Sequence, residues 1–489
     1  MSTSVAAPTP VAAAKHSVKW SWLAIAIAIG LSVAFMPTPE GLSRTAQLVL
    51  AIIAGTVILW AAEVMNNGVA SLLMMGIMMC IGVAPLTVVP GAAPPGVSGA
   101  LSGFSDGAWW TLMVVVYYGF AMKKTGLAER LSYYILSLFP GTYSGILSAF
   151  FVIGFVLALG IPSMTVRTAI MVPIAWALVQ SLGLANRSRG AALIVLTTVE
   201  MAVVPGLAFL YGSLDGPIVA AAFDVKHLPL TWLGYAQVIT FPTLLLCILI
   251  LIGNQFVLRP EEPLGASPKF ARDRLKALGS FKRPELITAI VVVLSIVFWT
   301  TDRYHHLPSF VVGTFAMAVF ALAGILRDED IGTAVSWSLL LYLGGVFGLA
   351  NVIQDTKVTD WVAGFFVPVA RQLTSNLVFL SFALAFAMFL LRFLDPSSFI
   401  VISVLFLSVV DVTSAAGIPP LVVMAPILIA SVPFWMSYQN FWLAMGEGLT
   451  GNMAFSPGQR VRLANTYAIL MLITAAAAVG YWKFIGVLK

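Results

Sequence analysis

Gly160-Ile161-Pro162-Ser163-Met164-Thr165-Val166-Arg167-Thr168-Ala169, set between two apolar runs, puts a helix stop, three hydroxyls and a cation at the depth of membrane hydrocarbon. Backbone amides in hydrocarbon must all find partners, so a Gly-Ile-Pro break is tolerated only where protein or a watery cavity covers it. Ser163 or Thr165 can cap a helix running through Ile170 to Gln180, and such a helix N-terminus attracts anions. Arg167 falls one turn inside, on the face of Ser163. A charge at this depth costs at least about 2.5–3.5 kcal/mol, so Arg167 marks a functional site unless it snorkels to an interface or pairs with a carboxylate.

Three further interruptions have the same character. Leu394-Asp395-Pro396-Ser397-Ser398 breaks a second apolar pair, and Tyr211-Gly212-Ser213-Leu214-Asp215-Gly216-Pro217 and Trp435-Met436-Ser437-Tyr438-Gln439-Asn440 each interrupt one span. Unwound carbonyls and small polar side chains there can coordinate a cation or a substrate oxygen. The alternative is a loop at the membrane surface, which Asp224 and Lys226 favour for Tyr211 to Pro217. Glu200, Arg392, Asp395, Asp411 and Glu447 are the other charges near apolar segments, and Arg392 and Asp395, three apart, either neutralise each other or serve coupling.

The elements that must position these residues are membrane helices. Hydrophobic residues make up 60% of the 489 and charged residues 9%, against roughly 25% charged in soluble domains, so the chain is a polytopic all-α membrane protein. The net charge of +6 sits in a few loops and reads as topology, not as a nucleic-acid-binding face. Cys80 and Cys247 lie in apolar runs, and His16, His227, His305 and His306 lie in tails or loops without zinc spacing, so neither a metal centre nor a catalytic constellation is expected. A membrane enzyme and a channel, which would present a repeated filter or rings of like charge, are disfavoured against a carrier.

Spans are expected near 21–37, 45–62, 68–86, 108–122, 190–221, 230–257, 285–301, 308–326, 335–352, 421–445 and 463–486. The broken segments 143–182 and 374–413 read as re-entrant hairpins. With residues 1–18 a disordered cytoplasmic tail, the positive-inside rule puts Lys123, Lys124, Arg130, Arg187, Arg189, the basic linker 259–284, Arg460 and Arg462 in the cytoplasm and the C-terminus outside. Arg44, Arg303, Lys357 and Arg371 are exceptions. Eleven spans, an odd number, mean that five spans plus a hairpin are followed by five more in the opposite orientation: inverted repeats with a site between them. Gly119 to Arg130 resembles Gly348 to Asp360, each preceding a hairpin.

From about Leu48 onward the chain resembles the divalent anion:sodium symporter family, which carries dicarboxylates, tricarboxylates or sulfate. The likeness rests on Leu101-Ser102-Gly103-Phe104-Ser105-Asp106 with Trp109-Trp110, on Lys124-Thr125-Gly126-Leu127-Ala128, on the tip Pro162 to Arg167, on Thr333-Ala334-Val335-Ser336-Trp337 and on Tyr438-Gln439-Asn440. It implies a homodimer in a bacterial inner (plasma) membrane, with scaffold helices (19–142, and 222–373 with the connecting helix and linker) holding elevator-like transport elements (143–221 and 374–445), and a cytoplasmic loop and last helix at 446–489. It implies substrate contacts from Ser163, Met164, Thr165, Arg167, Ser397 and Ser398, and cation coupling, with Na+ as the family's coupling ion, at Ser163, Gly206, Ser213, Asp215, Asp395, Ser437 and Asn440. Met164 stands where the family has Asn, and Asp395-Pro396-Ser397-Ser398 replaces the second Ser-Asn-Thr, so hard-cation binding should weaken. Asp395 could instead take up a proton, or the carrier could work by anion exchange.

Overall fold

The computed structural model describes residues 19–62, 64–84, 99–261, 263–264, 269–358, 360–361, 364, 371–393, 398–436 and 439–488. Helices α1 (Trp20–Phe35), α2 (Arg44–Ala61), α3 (Asn67–Cys80), α4 (Gly107–Thr125) and α5 (Leu127–Leu138) lead into a hairpin of α6 (Tyr143–Gly160) and α7 (Met164–Ser181). An interrupted helix follows, α8 (Arg189–Val203) and α9 (Asp215–Val225), and then α10 (Trp232–Val257). After the linker helix α11 (Lys269–Ala277) come α12 (Arg283–Thr300), α13 (Asp302–His305), α14 (Ser309–Leu322), α15 (Asp328–Thr333) and α16 (Trp337–Asp355). A second hairpin, α17 (Leu377–Leu391) and α18 (Phe399–Ala415), precedes a second interrupted helix, α19 (Pro420–Ile429) and α20 (Phe441–Leu449), and the last helix α21 (Pro457–Phe484). Among the described residues eight helices are long and apolar enough to cross a membrane.

Beyond α1 the same series runs twice: two helices, a Gly-containing span, a hairpin, an interrupted helix and a long helix. The packing exchanges partners accordingly. α4 packs on α14 while α16 packs on α3, α20 packs on α7 while α9 packs on α18, and α10 packs on its counterpart α21. Gly103 shows how close one exchange is, since a Cβ there would lie 2.0 Å from the Gly344 carbonyl oxygen.

The two hairpins enter from opposite ends. At the first, Tyr143 lies so close to Gly190 that a Cβ on Gly190 would be 2.2 Å from the Tyr143 hydroxyl oxygen, and Ser144 Oγ donates to Gln255 Oε1 at 2.6 Å. The Arg187 amide there donates to the Met453 carbonyl at 2.9 Å, and Gln459 Nε2 donates to the Arg187 carbonyl at 3.0 Å. At the second, Thr374 to Asn376 and Ala416 to Ile418 border one cavity with Lys483 and Gly486 to Leu488. The 28 residues of α21 join the two levels, about 42 Å apart at 1.5 Å per residue.

Four helices depart from the sequence reading, which left them as loop: α5, α11 and the short α13 and α15. α5 and α11 are short and amphipathic, too brief to register as spans, and they pack on each other. Arg130 of α5 joins them to α12, with Nε donating to Glu285 Oε2 at 3.0 Å and Nη1 to the Gly279 carbonyl at 2.8 Å.

Candidate functional site

Pro162 cannot continue α6, and Ser163 restarts the chain as the N-cap of α7, its Oγ accepting from the Val166 amide at 3.3 Å. The tip lies inside the protein: Ile161 and Pro162 are buried, and Ser163, Met164 and Thr165 half-buried. Arg167, 0% exposed, directs its guanidinium onto backbone carbonyls. Nε donates to Ala202 at 2.6 Å, Nη2 to Val203 at 3.3 Å, and Nη1 to Gly212 at 2.5 Å and also to Ile161.

Three of those carbonyls belong to the interruption between α8 and α9. Pro205 lacks the N–H that would extend α8, so the helix passes into a 3-10 turn at Val204–Ala208 and its last carbonyls need other donors. Gly206 makes the room, because a Cβ there would lie 2.2 Å from Arg167 Nη2 and 2.5 Å from the Gly212 carbonyl oxygen. Residues 212–217 are all buried inside the protein.

The second half has its own buried guanidinium. Arg392, following α17 and 0% exposed, donates from Nε to the Ser431 carbonyl at 2.7 Å, and from Nη2 to the Gln439 carbonyl at 2.5 Å and to Asn440 Oδ1 at 3.1 Å. These acceptors line the interruption between α19 and α20. Asn440 Nδ2 in turn donates to the Pro433 carbonyl.

The halves meet at Asp215, the first residue of α9, which is 1% exposed. Ser398, at the start of α18 with φ 68°, donates through Oγ to Asp215 Oδ1 at 3.2 Å, and Ser213 Oγ donates to Oδ2 at 3.4 Å. The charges of Arg167 and Arg392 both act on this carboxylate. Helix starts from both halves therefore converge on a centre with two buried cations and, among the described residues, one buried carboxylate. That is an arrangement that attracts anions.

Of the residues singled out in the sequence, the structure joins Ser213, Asp215 and Ser398 directly, sets Gly206 under Arg167, and gives Asn440 to Arg392. Asp395, Ser397 and Ser437 lie outside the described residues. What sequence reasoning missed is that Arg392 has a place of its own on the second interruption. Its signal was position beside the second tip, as Arg167 stands beside the first.

Known proteins agree with this architecture. The model for the sodium:sulfate symporter transmembrane region matches residues 17–488. The chain is 25% identical to a putative malate transporter of Bacillus subtilis over 71% of this chain and 72% of that protein. It is 24% identical to dicarboxylate transporter 1 of Arabidopsis thaliana chloroplasts over 99% of this chain and 89% of that one. It is 22% identical to the L-tartrate/succinate antiporter of Escherichia coli over 78% and 81%. The fold is also similar to the solved structure of the Alcanivorax borkumensis YdaH transporter, with a TM-score of 0.54, 12% identity, and coverage of 88% of this chain and 98% of that one. From its first membrane helix to its last, the chain belongs to the sodium:sulfate symporter family of membrane transporters.

Proposed function

We propose that this transporter exchanges small dicarboxylates across a bacterial inner membrane, with hairpins and interrupted helices moving as an elevator within a homodimer. The observation that carries the reading is the pair of wholly buried arginines seated on the two interrupted helices. Unwound carbonyls of this kind are where a coupling cation would find its oxygens. Here guanidinium groups take those carbonyls, Arg167 at Ala202, Val203 and Gly212 and Arg392 at Ser431 and Gln439, so fixed cations supply the positive charge that a dianion needs. The relatives named for malate, dicarboxylates and tartrate/succinate exchange support the substrate class.

In this reading Ser163 and Thr165 of the first tip and Ser397 and Ser398 of the second receive the carboxylates, with Met164 beside them. Arg167 acts as a positioning residue, holding the backbone that shapes the site. Ser213 and Asp215 are the remaining place for a cation, with Asp395 and Ser437 beside the second tip; Na+ coupling through them is the alternative, in keeping with the family's sodium symporters.

The test is uptake of labelled succinate or malate into proteoliposomes. Preloading with unlabelled dicarboxylate should accelerate uptake many-fold, and an inward sodium gradient should add little. Concentrative uptake driven by sodium into vesicles lacking internal anion would overturn exchange.

A further inference from the structure

Away from the tips, α8 and α10 bury a second polar group that the reading above does not use. Glu200 is 1% exposed and Asn254 0% exposed. Asn254 Nδ2 donates to Glu200 Oε2 at 2.5 Å and to Thr197 Oγ1 at 3.0 Å. Both amide hydrogens are thereby used, and two buried atoms remain without a partner: Glu200 Oε1 and Asn254 Oδ1. Both are acceptors if Glu200 is ionised, and burying them unpaired is costly.

Among the described residues the surroundings offer Glu200 no counter-ion. α10 contributes the buried Cys247, and α21 contributes Tyr467, whose hydroxyl donates to the Ile429 carbonyl. From α7, Arg167 is committed to carbonyls, and from α20, Glu447 pairs with Arg460 of α21 at 2.8 Å. α6 brings only Tyr143, at the far end beside Gly190, and the 3-10 turn brings no charge. A metal ion would want about six oxygens, whereas two are free. One proton satisfies both.

We propose that Glu200 and Asn254 form a proton-binding site, in which Glu200 is a neutral carboxylic acid donating Oε1–H to Asn254 Oδ1, and that losing this proton disables the transporter at alkaline pH. The acid and the amide then close a ring of two hydrogen bonds. The link to transport is short. Ala202 and Val203, whose carbonyls hold Arg167, follow Glu200 by two and three residues. Ionisation would leave a buried carboxylate facing an amide oxygen, and a shift of α8 that relieved it would move those carbonyls.

Infrared spectroscopy and thermal unfolding of the purified protein, neither of which involves substrate, test the site separately from the exchange reading. Wild type should show a protonated carboxylic-acid C=O band that is absent from Glu200→Gln, which keeps the ring because its amide can donate to Asn254 Oδ1. Because folded wild type holds one more proton than the unfolded chain, its folding equilibrium should fall about tenfold per pH unit relative to Glu200→Gln above neutrality. Dicarboxylate uptake should decline at alkaline pH in wild type and stay level in Glu200→Gln. Absence of the band from wild type, or coincident pH profiles of stability in the two proteins, would overturn the proposal. If Glu200→Gln does not accumulate, Asn254→Leu replaces it: removing the acceptor should move the band to higher frequency, and an unmoved band counts against the ring.

Discussion

The two halves of the molecule solve one problem with different residues. Each hairpin sends a buried arginine onto the interrupted helix of its own half, yet Arg167 comes four residues after Ser163 on the second arm, whereas Arg392 follows the first arm and precedes the tip. Arg167 donates to backbone carbonyls alone; Arg392 also relies on the side chain of Asn440. The repeat is thus preserved in where charge is delivered and not in which position delivers it. The first seat depends on a missing side chain, Gly206, and the second on a present one, Asn440.

The largest expected effect comes from removing either cation. Arg167→Ala strands four buried carbonyls, and at about 1–3 kcal/mol for each unsatisfied group, even with relaxation, the loss should exceed about 3 kcal/mol. Arg392→Ala should be comparable. Thermal unfolding in detergent would show midpoints well below wild type. Arg167→Lys should fail to restore the first seat, because one ammonium cannot reproduce the planar fork. A fully stable Arg167→Ala with weakened substrate affinity would instead make Arg167 a direct ligand, as its place one turn after Ser163 suggested.

Single-seat variants separate the halves. Gly206→Ala should cost about 1–3 kcal/mol by overpacking against Arg167 and abolish transport, with the second seat intact. Asn440→Ala removes a bond to a charged donor and the Pro433 carbonyl's partner, so about 1.5–3 kcal/mol is expected. If Asn440→Ala is neutral in unfolding and uptake, the second seat does not depend on that side chain. Asp215→Asn, which keeps the shape of the junction and drops its charge, should cost about 1–2 kcal/mol. Its uptake should be as insensitive to sodium as wild type; a sodium response present in wild type and lost in Asp215→Asn would assign coupling to this carboxylate.

Much of this plan was legible in the sequence, for physical reasons. Long apolar runs, and Gly or Pro inside them, locate spans, hairpins and interruptions because hydrocarbon tolerates so few other ways of breaking a helix. Loop arginines and lysines imply which loops share a side, in keeping with the contacts of Arg187 to Met453 and of Gln459 to Arg187. What could not be read was partnership. Arg167 meets carbonyls 35 to 45 residues away, Asn254 meets Glu200 at a separation of 54, and Ser398 meets Asp215 at 183. Proximity across such separations depends on packing, which hydropathy does not encode. α5 and α11 escaped because a short amphipathic helix resembles a polar loop when only span-length hydrophobicity is scored.

The smallest effect belongs to the surface junction between the halves, where Lys124 Nζ lies 2.5 Å from Asp330 Oδ2. Unlike Asp215, this carboxylate lies near the surface, and the hydrogen bond from Lys124, followed by that from the Arg327 amide, holds Asp330 below its ordinary range. A carboxyl with a depressed folded value stabilises above the unfolded value and loses that contribution as pH falls through the folded one. Any acid destabilisation from Asp330 should therefore appear only below pH about 4 and be shallow, because Lys124, with 31% of its side chain exposed, leaves the pair open to screening by salt. Lys124→Met should leave the unfolding midpoint at pH 7 almost unchanged in about 0.5 M salt, roughly three times physiological strength, where the screening length is shorter than ~8 Å. A large loss at neutral pH would show that the halves are held together at their surface as firmly as at Asp215.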